Sequence, residues 1–185
     1  MNRRHFLVGM GCGTLAVGMG GAGLADMTPA LPMATEERIN LALERLQQGY
    51  HCSQCVFEPY AAELGLSVET GRKLTAPLAG GGIPGGNCGA IGSGYLILGA
   101  KFGSELPRTP DGQGHEEMLH MYAKVHQFVD QFTTQYGSIT CLGLTGVNVF
   151  VTEGRQLGRE AGAFANCGKY ISTAISIMDQ LIAQG

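Results

Sequence analysis

The stretch GYHCSQCVFEPYAAELG, residues 49–65, decides the fold. Read through Cys52 and Cys55 alone it is a C-x-x-C dithiol, which would suggest a thioredoxin-like α/β domain. Read through its apolar residues it is a helix. Val56, Tyr60, Ala61 and Leu64 recur at helical spacing, Pro59 is placed to kink the run, and Gly65 stops it. The surrounding chain sides with the helix. No strands alternate with helices around the motif, and no cis-proline signal accompanies it.

Working outward, Thr35 offers an N-cap and Glu36 and Glu37 suit a first helical turn. Ile39, Ala42, Leu43 and Leu46 share one face, and Gly49 ends that helix. Downstream, a third helix is expected over 67–79, with Pro77 loosening its last turn. Five glycines crowd the loop over 80–87. Cys88 then opens an apolar helix through Phe102, and residues 103–114 form a second loop. A long helix follows over about 115–136, with Met118, Tyr122, Val125, Val129 and Phe132 on one side. Residues 147–151 suit a short strand, with helix after them. Cys167 opens the last helix, whose stripe is Ile171, Ala174, Ile175, Met178 and Leu181. The expectation is an all-α fold, a single-domain helical bundle with a glycine-rich loop.

The 185 residues suffice for one domain with a real core, and 44% of them are hydrophobic. A net charge of −3 with no basic stripe argues against nucleic acid as a partner. Residues 1–25 have a charged start with Arg3-Arg4 before Phe6-Leu7, a short glycine-diluted apolar middle, and small residues ending at Ala25. This is the pattern of a twin-arginine-type signal peptide and predicts a periplasmic or otherwise exported protein. The apolar run is too short and too rich in glycine for a membrane span, so contact with a membrane is expected only through an uncleaved signal. Cleavage after Ala25 takes the formal charge from −3 to −5. Residues 26–34 read as a flexible leader and 35–185 as the domain. A twin-arginine route implies export of an already folded chain, which suits a cofactor inserted before export.

Cys12 belongs to the signal, which leaves Cys52, Cys55, Cys88, Cys141 and Cys167. An odd count argues against a pure disulfide framework. Four of the five follow a helix break and open a helix: Cys52 after Gly49, Cys88 after Gly86-Asn87, Cys141 after Gly137-Ser138, and Cys167 after Asn166. Unpaired N–H groups at a helix start favour the thiolate, the form that binds metal and attacks disulfides. Four such starts converging in a bundle would gather four sulfurs around one centre.

These segments resemble the redox-active family named for its cysteines, C_GCAxxG_C_C. Gly49-Tyr-His-Cys52 resembles its opening cysteine segment. Gly80-Gly-Gly followed by Cys88-Gly89-Ala90 resembles its glycine loop and central turn. Gly137-Ser-Ile-Thr-Cys141 and Asn166-Cys167 resemble its two later cysteine segments. The resemblance covers about 35–183. Ser93 departs from it by standing where the last glycine of the central motif is expected, and Cys55 by replacing a small residue. The resemblance implies a redox role. Related domains in split-Soret-type cytochromes associate this cysteine set with an iron–sulfur cluster. Carried over, Cys52, Cys88, Cys141 and Cys167 would be the ligands of a [2Fe–2S] or [4Fe–4S] centre, with Cys55 an additional thiol without an assigned role. The partner would be a cytochrome or a membrane oxidoreductase complex, and self-association into a homo-oligomer is compatible with the sequence.

Two other readings stay open on the residues. A thiol–disulfide oxidoreductase would use Cys52 with Cys55 or with a distal cysteine. A structural zinc- or copper-binding module would use the four thiolates around one ion. Haem attachment is excluded, because Val56 stands where C-x-x-C-H needs histidine. His115 and His120 are five apart, which breaks the H-E-x-x-H pattern of metalloproteases. His51, His120 and His126 read as surface or cap residues, with His51 placed to tune a neighbouring cluster by a hydrogen bond. The 80–86 loop lacks the Gly-Lys-Ser/Thr ending of a phosphate loop. Its glycines either let backbone N–H groups approach a cluster or serve as a plain connector.

Overall fold

A computed structural model of the chain describes residues 32–110 and 112–185. The expected signal over 1–25 and most of the leader lie outside the described residues. The fold is all-α, as the periodicity predicts. Eight α-helices are present and no strand occurs among the described residues.

Helix α1 (Thr35–Gln47) begins one residue earlier than expected. Its cap is Ala34, not Thr35. Alanine has no side-chain oxygen, so the Glu37 carboxylate accepts from the Ala34 N–H instead, at 3.2 Å. Helix α2 (Cys52–Phe57) is shorter than the stripe suggested. Pro59 has no N–H to continue the ladder, so the chain goes on as two 3₁₀ turns, Glu58–Tyr60 and Ala62–Leu64, and stops at left-handed Gly65. The helix expected over 67–79 divides in the same way. Ser67 caps α3 (Val68–Thr75) by accepting from the Thr70 N–H at 3.1 Å, and the segment carrying Pro77 tightens into a 3₁₀ turn over Ala76–Gly81.

The remaining elements are α4 (Gly89–Phe102), α5 (Gln113–Tyr136), α6 (Cys141–Thr145), α7 (Gly154–Glu160) and α8 (Cys167–Ala183). Residues 147–151 form turns rather than a strand. An isolated strand in a helical domain has no ladder to join. Here the Asn148 carbonyl side chain accepts from the Phe150 N–H at 3.0 Å and bends the chain locally.

Helix α8 is the centre, packing against α1, α2, α4 and α5. Its expected stripe, Ile171, Ala174, Ile175, Met178 and Leu181, is fully buried. Facing it are Val56 and Tyr60 from the α2 region, Ile91, Ile97 and Leu98 of α4, and Phe128 and Phe132 of α5. The α5 stripe needs correction. Tyr122 is 47% exposed, and the buried line runs through Lys124, Phe128 and Phe132. Lys124 is tolerated there because its ammonium donates to the Leu181 carbonyl at 3.3 Å and lies over the Phe102 ring. Arg38 clamps α1 to two other segments. It donates to the Pro59 carbonyl at 3.0 Å, pairs with Glu63 and Asp179, and stacks on Tyr60. No helix among the described residues is long and apolar enough to cross a membrane.

Two glycines of α4 test this packing in opposite directions. A methyl group at Gly94 would stand 2.4 Å from the Phe128 ring and 3.2 Å from the Met178 sulfur, whereas one at Gly99 meets nothing within 4 Å. In chemical denaturation Gly94→Ala should lose about 1–3 kcal/mol through overpacking. Gly99→Ala should gain up to about 1 kcal/mol through helix propensity.

Candidate functional site

Four of the five cysteines among the described residues meet at one cavity. Cys52, Cys88, Cys141 and Cys167 all line a space of about 380 Å³, walled also by Tyr50, His51, Gly80, Phe164 and Tyr170 and bordered by Arg155 and Arg159. All five cysteines are free thiols. Cys55 does not line the cavity. It is fully buried one turn into α2, with its S–H directed at the Tyr50 carbonyl at 3.6 Å.

Local structure explains the convergence. Cys52, Cys141 and Cys167 are the first residues of α2, α6 and α8, and Cys88 is the cap residue of α4. The starts of α4 and α6 are tied by a two-residue antiparallel bridge between Asn87 and Thr140. In it the Cys88 N–H donates to the Ile139 carbonyl at 2.7 Å, and the Cys141 N–H donates to the Gly86 carbonyl at 3.2 Å. Gly86 makes this loop feasible, because a methyl there would fall 1.9 Å from the Gly81 carbonyl oxygen. Thr140 also caps α6 by accepting from the Gly143 N–H at 3.0 Å.

The starts of α2 and α4 touch directly. A methyl at Gly89 would lie 2.6 Å from the Cys52 sulfur and 3.0 Å from the Ser53 nitrogen. Ser93 donates from its buried hydroxyl to the Ser53 carbonyl at 2.7 Å. That bond gives the serine at the expected glycine position a structural job: it ties α4 to the turn carrying Cys52.

A second tier holds Tyr50 in the wall. Buried Glu58 accepts from Arg45 at 2.7 Å and from Arg72 at 2.6 and 2.9 Å. Arg72 in turn donates to the Tyr50 hydroxyl at 2.9 Å and stacks on its ring. Burial alone would push the Glu58 carboxyl up, but hydrogen bonds from Arg72 and Arg45 outweigh it and hold the group below the usual carboxylate range.

The thiols are not electrostatically equal. Cys52 is lowered to about 7, first by the hydrogen bond from Cys88 and then, against burial, by the N–H groups of Gly80, Ser53 and Gly89. Cys88, as the donor and deeply buried, is pushed well up. Burial and the charge of Cys52 raise Cys141 and carry Cys167 up to about 12. Cys55 rises to about 12 for the same reasons, with Glu58 adding to them. The expectation that every helix start would favour its thiolate therefore holds for Cys52 alone. At Cys88 the interaction with the Cys52 sulfur comes first and burial second, and at Cys141 and Cys167 burial comes first and the Cys52 charge second.

Cys52 and Cys88 are near enough to shift one another's ionisation, Cys52 downward and Cys88 upward. No three His, Cys, Asp or Glu side chains among the described residues are close enough to hold a single metal ion. His51 is the cap residue of α2 and borders the cavity, His120 packs edge-on against Phe102, and His115 accepts from Arg108 at 3.3 Å. The two arginines at the border, Arg155 and Arg159, were not singled out in the sequence. They lie in the helix expected after residues 147–151, and their spacing of four on one face of it was the available signal.

A family model described as "Putative redox-active protein (C_GCAxxG_C_C)" matches residues 50–181, which include all five cysteines of the described chain. No curated protein and no solved structure matches.

Two outcomes check this geometry. Alkylation of Cys52 in the metal-free chain should titrate with a midpoint near 7. Cys88→Ala should move that midpoint upward by removing the S–H donor, and an unchanged midpoint would contradict the contact. Because the folded Glu58 carboxyl is depressed, its contribution to stability is present above the ordinary value of about 4.3 and is lost as pH falls through the lower folded value. Acid unfolding curves of wild type and Glu58→Gln should therefore differ above about pH 4.3 and converge below it.

Proposed function

The chain belongs to the C_GCAxxG_C_C family, and from that premise we propose that it is an exported redox protein whose four-cysteine cavity holds an iron–sulfur cluster and passes single electrons to a cytochrome or membrane oxidoreductase complex. The observation that carries this reading is the sorting of the cysteines. The four at helix starts share one cavity, and the fifth, Cys55, does not. Four thiolates on a cavity wall are a donor set that a polynuclear iron–sulfur centre uses. A bound cluster would supply a one-electron couple there.

The chain's own residues would do the rest. Cys52 is ready as an anion near neutral pH, whereas Cys88, Cys141 and Cys167 must give up protons on loading, so affinity should rise with pH. The Gly80, Ser53 and Gly89 N–H groups offset sulfur charge. Phe164 and Tyr170 limit water at the wall. A single zinc or copper ion would need its thiolates about 2.3 Å from one point, and among the described residues no three ligands stand that close together.

One observation favours a second reading, a thiol–disulfide oxidoreductase. Cys52 and Cys88 share the cavity wall with their ionisation shifted in opposite directions, Cys52 down and Cys88 up, as an attacking and a resolving thiol require. The Cys52 thiolate would attack a substrate disulfide and release one thiolate. Cys88 would then lose its proton and displace the second, leaving a Cys52–Cys88 disulfide and a dithiol product. The neighbouring Cys55 is the weaker choice of partner, being buried and turned toward Tyr50.

Serine substitutions separate the two. On the cluster reading, Cys52→Ser, Cys88→Ser, Cys141→Ser and Cys167→Ser each remove most of the iron and the visible absorption of anaerobically purified protein, and Cys55→Ser keeps both. If only Cys52→Ser and Cys88→Ser abolish disulfide exchange, in a protein that never holds iron, the cluster reading fails and the dithiol reading stands.

A further inference from the structure

Two cations border the cysteine cavity without a carboxylate partner. Arg155 and Arg159 stand four apart on α7, so they share one face of that helix, and both line the cavity. Neither belongs to a salt bridge among the described residues. No Asp or Glu lines the cavity. Both residues are exposed at the cavity's border, and like charges at this spacing repel one another weakly, a repulsion that an anion between them would relieve.

The backbone fixes where the pair stands. Glu153, which precedes α7, has a φ of 63°, the one positive φ at a non-glycine among the described residues. Such a conformation is uncommon for glutamate and persists where the surroundings over-determine it. The next residue, Gly154, packs so closely that a methyl would fall 2.2 Å from the Asn148 carbonyl oxygen. The direction of α7 is thus set by its first turn. That direction brings Arg155 against the glycine loop, where its Nη2 would lie 3.7 Å from a methyl on Gly80.

From this arrangement we propose that Arg155 and Arg159 form a receptor for the oxyanion end, carboxylate or phosphate, of a small molecule that enters the cysteine cavity. The guanidinium fork matches both groups bidentately and is weakly hydrated, so it suits a partly enclosed site. The cavity is of a size for a small ligand, about 380 Å³, and Phe164, Tyr170 and Val149 give it an apolar wall for the ligand's body. An anion held at the arginines would have the thiols of the same cavity within its reach. The proposal goes beyond the redox reading: with a cluster in the cavity, the arginine border would still receive the oxyanion end, and the ligand's body would lie outward of the cluster.

The test is isothermal titration of the full chain, as purified, with inorganic phosphate and separately with succinate, at low ionic strength. Saturable binding of at least one probe to a single site is expected. It should weaken at least tenfold in Arg155→Gln and in Arg159→Gln, and weaken less in Arg155→Lys, which keeps the charge without the fork. Arg108→Gln, at an exposed cation on a different loop, should leave it unchanged. The two probes distinguish a phosphate ligand from a carboxylate ligand. Absence of saturable binding of both, binding unaffected by the two glutamine variants, or equal loss in Arg108→Gln would overturn the proposal. Iron measured on the same samples keeps the two ideas apart. Anion binding by an iron-free protein sinks the cluster and leaves the receptor, and an iron-loaded protein that binds neither probe does the reverse.

Discussion

The site depends on one close approach, the start of α2 against the start of α4. The Cys52 sulfur lies where a side chain on residue 89 would be, so only glycine lets the two helix ends meet. The same junction brings Cys88 beside Cys52, and with the backbone of Gly80, Ser53 and Gly89 it lowers the Cys52 thiol to about 7. The Ser93 hydroxyl holds the junction from below through the Ser53 carbonyl. Once α4 is fixed, the Asn87–Thr140 bridge carries α6 and Cys141 alongside it. Helix α8, packed on α1, α2, α4 and α5, then presents Cys167 to the same cavity from the centre of the bundle.

This arrangement makes the four thiols a set without making them equivalent. A sulfur surrounded by N–H donors in a buried site is stabilised as an anion, and that anion then opposes ionisation of its neighbours. Near neutral pH the metal-free site therefore carries a partial negative charge, at most about one, centred on Cys52. Two guanidinium groups stand at the border of the same cavity, with no carboxylate in its lining. The local balance is positive in a chain whose net charge is −3. A site of this character favours whatever adds negative charge to it, from inside as ionised sulfur or from outside as an anion.

Much of the fold was legible because helices announce themselves through one-sided apolar spacing, and α8 is the clearest case. Element ends were less legible. Pro59 and Pro77 shorten α2 and α3 into 3₁₀ turns, which an apolar stripe running past them cannot reveal. Phe128 was missed and Tyr122 misplaced because a helix of 24 residues drifts in register against any fixed stripe. The grouping of Cys52, Cys88, Cys141 and Cys167 could be read from their shared position after helix breaks, since a helix start is a local signal. What joins them could not. The Asn87–Thr140 bridge is two residues long, and the Glu58–Arg72–Tyr50 chain links residues with no periodic relation. The thiol order was hidden for a similar reason, because burial and sulfur–sulfur contact are properties of the packed site.

Native mass spectrometry of anaerobically purified protein tests the central claim most directly. The account predicts a folded chain heavier than its apo mass by the iron and inorganic sulfide of one cluster, with that increment lost on acid treatment. A native ion at the bare chain mass, or heavier by a single metal ion only, would contradict it.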